Sequence, residues 1–174
     1  MTTPEELKQY VRDIPGYPQP GIVFRDITPL LADKERFREV IDLMSEGWIA
    51  RRPDLVAAIE ARGFIPGAAI AVKLNAGFVP IRKTGKLPSK TIAESYQLEY
   101  GTDQLELHSD AVKPGQKVLI VDDVLATGGT AAAAVRLIRQ LGGEVVGVQV
   151  LIELEDLGGR KRLTDIEVVS EIVY

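Results

Sequence analysis

Residues Val118–Thr130 read VLIVDDVLATGGT. Four apolar residues, three of them β-branched, lead to adjacent acids, Asp122 and Asp123. A short loop rich in Gly and Thr follows, and then an alanine-rich stretch with helical spacing. This pattern predicts a buried strand that presents two carboxylates at its carboxyl end and turns into a helix N-terminus. The N–H groups at such a terminus lack intrahelical partners and carry about half a positive elementary charge. A phosphate fits there, with the hydroxyls of Thr127 and Thr130 as further donors. Gly128 and Gly129 let the backbone approach an anion with no side chain in the way. Two carboxylates beside a phosphate would repel it, but they suit the hydroxyls of an attached sugar. The run therefore points to a ribose 5-phosphate.

Other phosphate-binding patterns fail. The chain contains neither Gly-x4-Gly-Lys-Ser/Thr nor Gly-x-Gly-x-x-Gly. An isolated Asp pair would more simply cap a helix, and it is the complete strand–DD–TGGT–helix run that favours the ligand. Outward from it, the pattern repeats. LVAAIEARGF leads into PGAAIAVKL, with Pro66 near the first helical turn, where proline is accommodated. In the second unit Ala134, Ile138 and Leu141 follow i, i+4, i+7 spacing, and Gly142 and Gly143 supply a left-handed stop. Each helix is followed by another apolar strand, FVPI or VVGVQVLIEL. Strands alternating with crossover helices predict an α/β fold, a parallel-stranded sheet flanked by helices. Ligands of such sheets bind at the carboxyl ends of the strands, so EARGF and DDVLATGGT should open onto one crevice.

Bulk properties narrow the function classes. The 174 residues are 45% hydrophobic and 26% charged, which suits one soluble domain over residues 1–174. No run of about 20 apolar residues is present to span a membrane, and the polar, proline-rich N-terminus lacks the apolar core of a secretory signal. The formal charge of −4 gives no reason to expect a nucleic-acid partner. The absence of cysteine excludes disulfides and thiolate chemistry and fits a cytoplasmic setting. Positive charge is concentrated at Arg82, Lys83 and Lys86, and the lone His108 reads as a surface or hairpin residue.

Between Lys83 and Leu107 the pattern changes. KTGKLPSKTIAE is polar and rich in breakers, and ESYQLEY and QLELH flank the turn GTD, with Gly101 at positive φ. Residues 83–107 thus read as a β-hairpin, either a lid beside the crevice or a plain surface hairpin. Ahead of the sheet come a segment up to Leu31 and a predicted helix from Lys34 to Ile49.

The VLIVDDVLATGGT run resembles the phosphoribosyl-pyrophosphate (PRPP) motif of the type I phosphoribosyltransferases. GIVFRDITPLL, IEARGF, VPIRKTGKLP and SYQLEYGTD resemble the adenine-using branch of that family, in its order and at sensible separations. One departure is the stretch Pro66 to Phe78, where Pro66 and Lys73 are unusual. The resemblance implies the type I fold, with residues 1–31 as a base-binding hood and 83–107 as a flexible lid. It implies transfer of phosphoribose from PRPP to adenine, giving AMP and diphosphate in purine salvage. Rival readings are a phosphoribosyltransferase for hypoxanthine, guanine or xanthine, or a non-catalytic regulator that binds PRPP or AMP. The chain has no basic helical domain of the kind such regulators append.

By the same resemblance Asp122 and Asp123 take the ribose hydroxyls, and Ala126, Thr127, Gly128, Gly129 and Thr130 take the 5-phosphate. Arg62 places a planar fork of donors against diphosphate. Arg82, Lys83 and Lys86 reach the diphosphate partly from a second subunit, which implies a homodimer with shared sites. Without the family, those three are a solvated basic loop. Glu60 either orients Arg62 or is an ordinary salt-bridge partner. Adenine falls to Val23, Phe24 and Arg25: a face for stacking, worth roughly 1–3 kcal/mol, and backbone groups matched to the base. Unaided, Phe24 reads as a core aromatic. Glu99 is the expected general acid and Tyr100 the residue that seals the closed lid. Mg²⁺ is implied as the required ion, held mainly by PRPP and water rather than by direct protein ligands.

Overall fold

The computed structural model describes residues 3–97 and 101–174. The chain divides into two compact units, the first ending at Leu43 and the second beginning at Met44.

The first unit begins with α1 (Pro4–Lys8), whose N-terminus carries a capping box between Thr3 and Glu6. Strands β1 (Arg12–Pro15) and β2 (Val23–Asp26) pair antiparallel, with Ile14 opposite Phe24. Asp26 closes the hairpin and opens α2 (Thr28–Ala32). Its carboxylate accepts from the Thr28 N–H at 2.9 Å and from Arg12 at 2.6 Å. These bonds, those from Thr28 first, hold the Asp26 pKa down at about 2. Helix α3 (Lys34–Glu46) is three residues shorter than predicted, because a 3-10 turn, Ile49–Arg51, follows it.

The second unit holds β3 (Leu55–Ile59), α4 (Phe64–Lys73), β4 (Gly77–Lys83), β5 (Thr91–Gln97), β6 (Thr102–His108), β7 (Lys117–Leu125), α5 (Gly129–Gln140), β8 (Glu144–Glu153) and β9 (Val168–Val173). Among the described residues its strands form one sheet in the order β5-β6-β4-β3-β7-β8-β9. The pairs β3–β4, β3–β7, β7–β8 and β8–β9 are parallel, as crossover helices require. The two helices take opposite faces. Ala57, Ile59, Val118 and Ile120 join the cluster built on Ala134, Leu137 and Ile138 of α5. Ala58, pointing the other way, meets α4 at Gly67, where a Cβ would lie 2.5 Å from its own.

The hairpin expected within 83–107 is present, and two details differ from the sequence reading. β5 and β6 pair antiparallel over seven residues as expected, but β6 also joins the sheet edge antiparallel to β4, so the hairpin extends the sheet. The strands alternate exposure, with Tyr96, Leu105 and Leu107 buried, which a search for breakers overlooks. The turn is also displaced: Gly101 has φ +95°, but Thr102 and Asp103 already belong to β6. The second difference is that β7 does not end before the acids but runs on to Leu125.

Candidate active site

Because β7 continues, Asp122 and Asp123 lie inside a strand and their side chains go to opposite faces. Both are buried, at 9% and 7% exposure, so they are not presented at a strand end as the sequence reading had it. The Asp123 N–H donates to Asp122 Oδ1 at 2.9 Å. Burial pushes the Asp122 carboxyl well above the usual carboxylate range, and the neighbouring charge of Asp123 reinforces it. Asp123 is held differently, with Arg62 Nε 2.7 Å from its Oδ2. The acids therefore differ in character: Asp122 retains its proton more readily, and Asp123 is charge-compensated. This arrangement weakens the repulsion that two full carboxylates would exert on a nearby phosphate.

Arg62 reaches Asp123 from the loop between β3 and α4, and that loop passes very close to β7. A Cβ at Gly63 would stand 2.5 Å from the Ile59 carbonyl and 2.7 Å from Asp122 Oδ1. Glycine is required there by proximity rather than by dihedral angle, since φ is −59°.

Ala126, Thr127 and Gly128 form the turn after β7, and Gly128 takes φ +80° as the N-cap of α5. Gly129 and Thr130 open the helix. Gly128 and Gly129 are buried, while Ala126, Thr127 and Thr130 are half-buried. Among the described residues no side chain caps this terminus, so its first N–H groups are left for another partner. The backbone geometry is that of an anion cradle: a left-handed glycine leads into a helix end that no side chain caps, with Thr127 and Thr130 on either side in the sequence.

Arg82, Lys83 and Lys86 do not form the freely solvated loop that they would be read as without the family resemblance. Arg82 Nε lies 2.7 Å from Glu60 Oε2, and Lys86 Nζ lies 3.0 Å from Oε1 of the same carboxylate. The Lys83 N–H also donates to Glu60, at 3.3 Å. Glu60 thus serves these residues, and Arg62 is oriented by Asp123 instead. Burial works to raise the Glu60 pKa, but the bonds from Lys86 and Arg82 outweigh it and the net shift is downward. Lys83 Nζ pairs with Asp103 at 2.8 Å, and Asp103 also accepts from the Tyr96 hydroxyl at 3.1 Å. Burial, reinforced by the Asp103 charge, pushes the Tyr96 hydroxyl up to about 12, so it acts as a donor near neutrality. Tyr96 and Asp103 lie in the quoted SYQLEYGTD run, yet the sequence reading gave neither a role. The signal was there in the alternation that buries Tyr96. Glu99 and Tyr100 lie outside the described residues.

In the first unit Val23 is exposed, while Phe24 and Arg25 are half-buried on β2. Tyr17 packs edge-on against Phe24 at 5.2 Å, and Arg25 pairs with Asp13 at 2.5 Å. The Gly16 N–H donates to the Ile22 carbonyl, which makes that pair a hydrogen-bonded one. Alternation then directs the backbone groups of Val23 and Arg25 away from β1.

A metal cage is a poor fit to these residues. Among the described residues no three His, Asp or Glu side chains come together to hold a metal ion, and Asp123 of the adjacent acid pair is engaged by Arg62. That donor set suits an ion whose other ligands are substrate phosphates and water.

Comparison with known proteins agrees with this geometry. Residues 27–173 match the model of the phosphoribosyl transferase domain. An adenine phosphoribosyltransferase of Thermotoga maritima is 63% identical over 97% of this chain and 98% of its own length. The crystal structure of the enzyme so named from Thermoanaerobacter pseudethanolicus superposes with a TM-score of 0.96 at 50% identity, covering 99% of this chain and 100% of that one. The Saccharomyces cerevisiae structure, complexed with an imino-altritol bisphosphate and adenine, has a TM-score of 0.92 at 36% identity and covers 97% and 98%. With so much of its length matched at such identity, the chain belongs to the adenine phosphoribosyltransferases of the phosphoribosyl transferase domain family.

Proposed function

We propose that this protein transfers the phosphoribosyl group of PRPP to adenine, releasing AMP and diphosphate. The observation that carries the reading is the uncapped N-terminus of α5 behind left-handed Gly128, directly after a buried acid pair. The helix end and the hydroxyls of Thr127 and Thr130 take the 5-phosphate. Asp123, with Asp122 behind it, accepts the ribose hydroxyls and fixes the sugar. The bond from the anomeric carbon to diphosphate breaks as the bond to a purine nitrogen forms, through a transition state with oxocarbenium character. Charge accumulates on the leaving diphosphate, and Arg62, Arg82, Lys83 and Lys86 are the groups within the chain that answer it. Two of these must exchange Glu60 for diphosphate, so the cations are stored on an internal counter-ion until a stronger one arrives.

Adenine recognition falls to β2. The outward backbone groups of Val23 and Arg25 pair with the ring nitrogen and exocyclic amine, and Phe24 offers its face. A base with the opposite donor pattern leaves those groups unpaired, which discriminates by around 10⁴-fold. Glu99 serves as general acid to the purine and Tyr100 seals the site. Mg²⁺ would be held mainly by PRPP and water rather than by protein side chains, and would supply positive charge toward the leaving diphosphate.

The enzyme works as a homodimer in the cytoplasm, a setting that its lack of cysteine fits. Ile65, Ala68 and Val72 of α4 recur at i, i+3 and i+7 and are all exposed, with Phe78 of β4 exposed as well. An apolar stripe of that kind is the mark of an association surface. The decisive assay supplies PRPP and Mg²⁺ with a panel of purine bases. AMP from adenine, with little product from hypoxanthine, guanine or xanthine, is the expected result; a preference for another base overturns the adenine assignment, and no product from any base overturns the enzyme.

A further inference from the structure

A second network stands behind the phosphate cradle, and it rests on the functional reading just given. The turn Gly158–Gly159 runs against the loop Ala126–Gly128, backbone to backbone. A Cβ on Gly128 would overlap the Gly159 carbonyl and come within 3.0 Å of Gly159 Cα. In the reverse direction, a Cβ on Gly159 would overlap the Ala126 carbonyl and stand 3.1 Å from the Gly128 nitrogen. Neither strip has room for a methyl group, so the shape of one dictates the shape of the other.

What fixes the outer strip is Arg160. Its Nε and Nη2 each donate at 2.7 Å to the two oxygens of Glu153, a bidentate pair. Its Nη1 donates to the Val168 carbonyl at 2.7 Å, and Nη2 also reaches Ser170 Oγ at 3.0 Å. Ser170 in turn donates to Glu153 at 2.6 Å. Glu153 is 5% exposed and ends β8 opposite Leu125, the last strand residue before the cradle. One guanidinium thus ties the turn that backs the phosphate loop to two neighbouring strands.

We propose that Arg160, through Glu153 and Ser170, is a positioning residue for the ribose-phosphate loop: it holds Gly158–Gly159 against Ala126–Gly128 and so sets the affinity for the 5-phosphate of PRPP and AMP. On this reading Arg160 acts through the loop, its own donors being taken by Glu153, Val168 and Ser170. Lysine at position 160 keeps the charge but loses the planar fork.

The test is the steady-state kinetics of Arg160→Lys in the full chain, titrating PRPP and adenine separately. The KM for PRPP should rise about tenfold with the KM for adenine within about twofold, the size of effect a slightly misplaced binding group produces. Arg139→Lys, at the ion pair with Asp165, serves as control and should leave the KM for PRPP unchanged. Unaltered PRPP kinetics in Arg160→Lys overturn the proposal, as do equal rises in both KM values, which would mark a general structural defect. If Arg160→Lys does not fold, Ser170→Ala decides, since it leaves the bidentate pair in place. A rise of about threefold in the KM for PRPP alone supports the proposal, and no rise overturns it. Failure of the wild-type chain to form AMP is a separate outcome, which removes the functional reading itself.

Discussion

At the residue scale, the two adjacent acids are chemically unequal, and this inequality is measurable. Asp122 has its pKa raised by burial, so the native state binds a proton that the unfolded chain has already released. Stability must therefore fall as pH rises from the ordinary aspartate range toward the raised value. Asp122→Asn removes that charge while keeping an oxygen for the Asp123 N–H. Its melting temperature should exceed that of the wild type at pH 8, and the gap should close as the pH drops to about 4, the unperturbed aspartate range. A gap that stays constant across pH would show that Asp122 is not the group responsible. Asp123→Asn should behave otherwise. The Arg62 pair is lost, turnover with PRPP drops by about tenfold or more, and the melting temperature of the ligand-free protein stays close to wild type. A large fall in melting temperature with normal kinetics would make Asp123 a structural residue.

Elements explain why some of this was legible in the chain and some was not. The βα units, the stop at Gly142 and the place of Pro66 follow from local rules, and residues 129–140 form a helix where the spacing predicted one. The end of β7 was not legible, because acids ordinarily terminate a buried strand. Here β8 pairs alongside as far as Leu125–Glu153, and Arg62 compensates the charge. Both facts come from residues distant in sequence. Glu60 is the same case: its nearest cation in the chain is Arg62, yet the sheet delivers Arg82 and Lys86 to it. Glycines show the difference between local and tertiary need. Gly101 was readable as a turn residue, whereas Gly63 is demanded only by the approach of Asp122. Gly63→Ala should accordingly cost about 1–3 kcal/mol in chemical unfolding, the usual range for overpacking. A neutral result would mean that the loop yields freely. In the N-terminal unit the depressed pKa of Asp26 gives a second readout. Its contribution is fully present above the unfolded pKa near 4 and disappears as pH falls toward about 2. Asp26→Asn should therefore lower the melting temperature at pH 6 and have little effect at pH 2, followed by thermal melts across that range.

For the whole molecule, the open matter is whether one chain completes a site. Within a chain, Arg82 and Lys86 rest on Glu60, and this internal pairing is what a shared-site dimer has to overcome. Two variants separate the possibilities. On the roles proposed above, Arg82→Ala would remove a diphosphate cation and Asp123→Asn a ribose acceptor, so each variant alone should be nearly inactive. Mixed under exchanging conditions in equal amounts, they form about half mixed dimers if association is random. When Arg82 serves the neighbouring chain's site, a mixed dimer has one site with both lesions and one with none. The mixture then recovers about one quarter of wild-type activity, from half of the dimers carrying one intact site of two. When Arg82 serves its own chain, every site carries one lesion and nothing is recovered. Val72→Glu places a charge on the exposed apolar stripe of α4 and should shift the mass measured by light scattering from dimer toward monomer. Recovery in the mixture should vanish when Val72→Glu is added to both variants, because the restored site exists only while two chains stay together.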